Sequence, residues 1–238
     1  IFDKGYSAGA ELGISFTGSA MGESFLAGIR RRFLWDSRLA PEVESRARRV
    51  LAGERDSLSL EAEQPLFPDE KNNAWFNSLV LHTASGVKRR TICRSLLDEG
   101  LVLVGDPEGW RQALGSETPV LPHVDYSTQL GSVYQQSAIN INITSCQMPT
   151  AVNQRLFDAP LAGGFLLTDA QSDALAMFRE GEELIVYRSS EELMDLCRFY
   201  LSRPASRAKV VEGAQRRIRA EHCVRHRLER LVKFMSEG

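Results

Sequence analysis

The chain has 238 residues, 29 Lys+Arg against 31 Asp+Glu for a formal net charge of −2, with 43% hydrophobic and 25% charged residues. Such a composition excludes a disordered chain, and near-neutrality leaves no overall field for nucleic acid. The longest apolar runs, such as Leu101–Val104, are strand-sized and too short for a membrane span. Nothing near the start reads as a signal peptide. Four widely spaced cysteines (Cys93, Cys146, Cys197, Cys223) form no paired motif, so reduced thiols and a cytoplasmic location are expected. The first residue is Ile1 and not Met, which reads as part of a processed or longer protein.

Taken in chain order, Leu12–Gly18 reads as a buried strand running into a Gly/Ser loop. Helices are expected over Phe25–Trp35, Glu42–Leu51 and Ala74–His82, separated by Pro41, Pro65 and Pro68. A further helix over Val87–Glu99 stops at Gly100. Leu101–Gly105 is a continuous apolar strand of the kind covered on both faces. A short helix over Pro107–Leu114 and an extended piece at Pro119–Val124 follow.

Beyond these, helix is expected over Tyr126–Gln136, strand over Ala138–Thr144, helix over Val152–Leu161 and strand over Phe165–Thr168. Ser172–Phe178 reads as helix, Leu184–Tyr187 as strand, and Glu191–Leu201 and Arg207–Met235 as closing helices. Strand alternating with helix predicts an α/β, Rossmann-like parallel sheet wrapped by helices. The expectation is a single domain over 1–238, with a helical insertion at about 23–85 and a C-terminal helical tail at about 204–238.

Net charge hides a segregation. Asp158–Asp195 holds nine acids and two bases, whereas Arg203–Lys233 holds ten bases and three acids. Complementary faces of one fold are the plainest reading of these adjoining blocks.

Ligands of doubly wound sheets bind beyond the carboxyl ends of the strands. That rule draws attention to Gly18 and Ser19, where glycine allows close backbone approach to a phosphate, although a plain tight turn is the simpler reading. It also draws attention to Gly105 and Trp110, the latter able to stack on a base or to fill the local core. The densest stretch is Asn140 to Asp169, with Asn153, Arg155 and Asp158 at a helix start and Gly163 at its end. Arg155 and Asp158, three apart, share a helix face. They suit either an intrahelical ion pair or a sugar nucleotide, whose ribose a carboxylate accepts and whose diphosphate an arginine neutralises. His222 and His226, with Cys223 between them, lack the further ligands of a metal site, so no metal is expected.

The run from Arg155 to Asp169 (RLFDAPLAGGFLLTD) resembles the R-x-F-E-x-x-A-x-G-x-x-L-L-T-D stretch of CgeB-like glycosyltransferases. Further blocks at Phe178–Tyr187, Ser190–Leu193, Tyr200–Leu201, Arg207 and Glu221–His222 with Arg227 extend the resemblance, as do Ile14–Gly18, Leu103–Asp106 with Trp110, and Tyr134–Asn142 upstream. The resemblance implies the C-terminal, nucleotide-sugar-binding half of a two-domain GT-B glycosyltransferase. Its partners would be a nucleoside-diphosphate sugar and a missing N-terminal acceptor-binding domain, with no cofactor, nucleic acid or membrane span. It implies that Asp158 meets the donor ribose, that Gly18, Ser19 and the amides of Asn153–Arg155 meet the diphosphate, and that Gly105 and Trp110 border the base. Two departures stand out. Thr150 takes the place where many GT-B enzymes carry a second acid, and Pro160 should disturb its helix. The rival classes are a non-catalytic nucleotide or sugar-phosphate binding module and a protein-interaction domain.

Overall fold

A computed structural model describes residues 12–54, 56–61 and 64–237. Six strands, β1 (Leu12–Thr17), β2 (Leu101–Val104), β3 (Val120–Leu121), β4 (Ser137–Asn142), β5 (Leu166–Asp169) and β6 (Ile185–Tyr187), form one parallel sheet in the order β3-β2-β1-β4-β5-β6. This is the doubly wound order of Rossmann-like proteins, and the α/β expectation holds. The helices are α1 (Glu23–Arg30), α2 (Ala40–Leu51), α3 (Ser57–Glu61), α4 (Glu70–Leu96), α5 (Pro107–Leu114), α6 (Leu130–Gln136), α7 (Arg155–Leu161), α8 (Ser172–Met177), α9 (Ser190–Leu201), α10 (Pro204–Arg217) and α11 (Val224–Glu237). The described residues divide into two compact units, one of residues 15–124 with 143–152 and the other of residues 12–14, 125–142 and 153–237.

The first unit is largely helical. Helices α1 to α4 enclose a core of Leu26, Ile29, Val43, Ala47, Leu60, Phe76, Leu79, Val80, Leu81 and Ala84. Asp69 starts α4 by accepting from the Asn72 amide, as an N-cap carboxylate should. The sequence suggested two helices where α4 is one of 27 residues. Its interior Gly86 is kept by a close approach, since a Cβ there would lie 2.9 Å from the Met21 carbonyl oxygen and 2.7 Å from Arg90 Nη1. The glycine is thus a contact surface and not a stop.

In the second unit the core is built from β4 to β6 and their helices, with Ile139, Ile141, Leu156, Leu167, Leu184, Val186, Leu193 and Ile218 buried. The alternation of β4 does not leave its polar face in water. Asn140 and Asn142 are 2% and 0% exposed, so each carboxamide needs internal partners. Asn140 donates to the Tyr134 and Phe165 carbonyls at 3.0 and 3.1 Å. Helix α7 tolerates Pro160 because it ends one residue later, at Leu161.

The closing helix expected over Arg207–Met235 is broken. Helix α10 passes into a π-helical turn, Ile218–His222, and Cys223 is extended before α11 begins. The acidic and basic blocks do meet within this unit, where Arg217 Nε lies 3.0 Å from Glu183 Oε2. On α11, Val224, Leu228, Leu231 and Met235 make an exposed apolar stripe. No helix of the described residues is long and apolar enough to cross a membrane.

Gly213 on α10 marks a tight packing point, because a Cβ there would fall 2.5 Å from the Glu182 carbonyl oxygen. Alanine favours helix over glycine by about 1 kcal/mol, yet Gly213→Ala is expected to destabilise the protein by about 1–3 kcal/mol through the forced backbone shift. Urea unfolding of the two proteins measures this directly.

Candidate functional site

The sequence-derived residues fall into two groups, one on each unit. In the first unit, Gly18 and Ser19 follow β1 in a loop several of whose polar groups are already engaged. The Gly18 amide donates to the Val104 carbonyl at 2.9 Å, and the Gly18 carbonyl accepts from Trp110 Nε1 at 2.7 Å. The Ser19 carbonyl accepts from Arg89 Nη1 at 3.2 Å. The Ala20 amide donates to Asp106 Oδ2 at 2.9 Å. Asp106, at φ 54° and ψ 56°, also caps α5 by accepting from the Gly109 amide at 3.1 Å. A carboxylate of the protein itself therefore occupies one of the loop's donors.

This corrects the expectation for Trp110. Trp110 is wholly buried and packs edge-on against Phe16, with ring centroids 5.8 Å apart. It supports the loop from beneath and presents no face to a base. The Gly18–Ser19 loop is a braced turn, and beside it Ser19, Asp106 and Glu108 line a cavity of about 300 Å³ whose carboxylates oppose a diphosphate. Gly105 ends β2 in the left-handed region at φ 90°, its amide bonded to the Leu121 carbonyl at 3.0 Å.

The second unit concentrates polar groups at the carboxyl ends of three adjacent strands. Asn142 ends β4 and pairs in register with Thr168 of β5, while Asp169 pairs with Tyr187 of β6. The Asn142 carboxamide donates to Thr168 Oγ1 at 2.9 Å. Its oxygen accepts from Asn153 Nδ2 and Arg155 Nη1, both at 2.8 Å. Its main-chain carbonyl accepts from the Tyr187 hydroxyl at 2.7 Å. Asp169, 6% exposed, accepts from Gln171 Nε2 at 3.1 Å.

Arg155 and Asp158 share the face of α7 that the spacing suggested, with Arg155 directed to Asn142 and Asp158 accepting from the Tyr126 hydroxyl. The Arg155 amide is used locally, donating to Asn153 Oδ1 at 3.1 Å. The guanidinium, not that amide, is thus the group able to meet an anion, which revises the expectation for Asn153–Arg155.

Gly163 is not part of this cluster. At φ 91° it ends α7, with its amide on the Pro160 carbonyl and the Gly164 amide on the Ala159 carbonyl. Helix α7 leads into β5 and runs counter to the strands, so its end lies at their amino edge. There Gly163 lines a cavity of about 360 Å³ with Gln135, Ser137, Phe165 and Arg207.

Burial pushes the Tyr134 hydroxyl up in pKa, with Arg155 pulling the other way. Tyr126 is pushed up to about 12, first because its hydroxyl donates to the Asp158 carboxylate and then through burial and the same negative charge. The histidine pair is engaged elsewhere, His222 facing the Met177 carbonyl and His226 Nδ1 accepting from the Cys223 amide at 3.1 Å. Among the described residues no group of three or more His, Cys, Asp or Glu is placed to hold a metal ion. Sequence reasoning did not single out Asn142, Thr168 or Tyr126 as site residues, although a polar residue closing an apolar strand was visible.

A six-stranded doubly wound sheet with an arginine, a carboxylate and three carboxamide or hydroxyl groups at its carboxyl edge defines an α/β protein with a polar cluster where ligands of such sheets bind. A family model described as glycosyl transferase-like matches residues 88–233, more than half of the chain, and the protein belongs to that family. The matched span contains the whole Asn142–Asp169 cluster and excludes the Gly18–Ser19 loop. No curated protein matches the chain.

Asn142→Ala is expected to destabilise the protein by about 2–4 kcal/mol, because Thr168, Asn153 and Arg155 lose a buried partner together. Thermal or urea unfolding checks it. The Tyr126 hydroxyl should ionise near pH 12 in a spectrophotometric titration. Asp158→Asn should lower that midpoint toward the ordinary tyrosine value of about 10, since the neutral phenol loses its charged acceptor.

Proposed function

We propose that the protein is a donor-binding glycosyltransferase domain of CgeB-like type, acting on a nucleoside-diphosphate sugar. The observation that carries this reading is the placement of Arg155 and Asp158 on one face of α7, with Arg155 held by Asn142 at the carboxyl end of β4. Asp158 offers two carboxylate oxygens to a vicinal diol such as that of ribose. Arg155 offers a planar, permanently charged fork to a diphosphate. Family membership at residues 88–233 supports sugar transfer as the chemistry.

In that reaction an acceptor atom bonds to the anomeric carbon while the bond from that carbon to the diphosphate oxygen breaks. The departing nucleoside diphosphate takes the electron pair, and Arg155 offsets its growing charge without a metal cofactor. The acceptor and the base that takes its proton belong to a second, acceptor-binding domain. A binding module without transfer is the second reading, favoured by Thr150 at the position of the second acid.

Calorimetry with a panel of nucleoside diphosphates and their sugars tests the assignment. Asp158→Ala is expected to weaken binding by about 10- to 100-fold, the worth of hydrogen bonds to a charged group. Arg155→Ala should weaken it with reduced salt dependence, and Arg155→Lys should restore only part. Binding of no nucleotide by the wild-type protein removes the proposal. Binding without donor turnover by the protein together with its acceptor domain favours the module.

A further inference from the structure

We infer that Tyr126 is a nucleoside-binding residue of this site, its ring serving as the platform for the donor's base and its hydroxyl holding Asp158 until the ribose takes over that carboxylate. The inference rests on Asp158 being the ribose contact and extends it to the base, which no residue yet described can receive.

Position comes first. Tyr126 stands on a turn leading into α6, and Asp125 ties that turn down. Asp125 Oδ1 accepts from the Ser127 and Thr128 amides at 3.0 and 2.9 Å and from the Thr128 hydroxyl at 2.7 Å. The Asp125 amide donates to Gln129 Oε1 at 2.7 Å, and the Gln129 amide returns to the Asp125 carbonyl at 3.0 Å. A backbone so closed holds the tyrosine at one place, so its contact with Asp158 across 32 residues is built in and not a chance of a loose loop.

Exposure comes second. Tyr126 is 56% exposed, although its hydroxyl is engaged, so part of the ring remains open to a ligand. The aromatic rings named so far fail this test. Trp110 is wholly buried, and Tyr134 is 3% exposed. Of the exposed rings of this unit, Phe199 lies on α9 under Arg203, and Phe234 lies on α11. Tyr126 is the one in contact with the proposed ribose acceptor.

Chemistry comes third. A vicinal diol fills both oxygens of a carboxylate, and Oδ2 of Asp158 is now held by Tyr126. Ribose therefore competes with the phenol for that oxygen. Because the base hangs from the same sugar, an aromatic ring released next to that carboxylate meets the base face, where stacking is sequence-tolerant and strong.

The test uses the full chain with UDP, GDP, ADP and CDP as probes, measured by calorimetry. Tyr126→Phe keeps the ring and removes the bond that competes with ribose, and is expected to bind as well as wild type or several-fold tighter. Tyr126→Trp should bind within a few-fold of wild type. Tyr126→Ala is expected to weaken binding by about 5- to 100-fold, the range of base–aromatic stacking, with an unchanged unfolding midpoint because the side chain is exposed. Wild-type affinity in Tyr126→Ala, or equal losses in Tyr126→Ala and Tyr126→Phe, would overturn the inference. If Asp158→Ala loses affinity and Tyr126→Ala does not, the base platform alone fails. If the wild-type protein binds none of the four, the donor reading fails and takes this inference with it.

Discussion

A carboxamide sealed from water at the end of a central strand must find protein partners for its donor and its acceptor lone pairs, since leaving them unmet costs about 1–3 kcal/mol each. Asn142 is in that position, wholly buried at the last residue of β4. It meets the requirement with Thr168 on one side and Asn153 and Arg155 on the other. The consequence reaches beyond stability. Arg155 is oriented by a buried group on a strand, so the guanidinium proposed to meet a diphosphate is held by the sheet and not by a surface loop. Positioning of this kind limits what must be ordered when a ligand arrives.

The first unit solves a similar demand in the opposite sense. After β1 the chain turns through Gly18–Gly22, where free amides would form an anion site. Here Asp106 accepts from Ala20, Trp110 donates to Gly18, and Arg89 and Arg90 donate to the Ser19 and Ala20 carbonyls. The protein's own charges close the loop. Comparable strand-to-helix turns thus diverge, one internally neutralised and one leaving an arginine and a carboxylate at the surface, and the family match spans the second and not the first.

Much of the architecture was legible. Continuous apolar runs such as Leu101–Val104, and turn residues between periodic segments, marked nearly every strand and most helices. The failures share a cause. The sequence suggests separate helices over Ala74–His82 and Val87–Glu99, yet Gly86 lies inside the single helix α4, which passes against the Met21 carbonyl. The break at Cys223 is invisible in a basic, helix-favouring stretch. It comes with a π-helical turn and with the His226 ring accepting from the Cys223 amide. The shared helix face of Arg155 and Asp158 was readable because three residues span about one helical turn. The partners of those residues were not, since Asn142 is 13 residues from Arg155 and Tyr126 is 32 from Asp158.

Sequence alone determined the fold class, the helix face that carries Arg155 and Asp158, and the glycosyltransferase resemblance, because each depends on local periodicity or on ordered motifs. Tertiary structure alone decided which aromatic rings reach the surface. Burial removed Trp110 and left Tyr126, and burial is a property of the packed chain that no residue carries by itself. It likewise separated Gly163 from the cluster, because a helix running against parallel strands ends at their opposite edge. The same packing made Asn142 the hinge of the site, since a strand must be covered on both faces before its last side chain is forced to find partners inside.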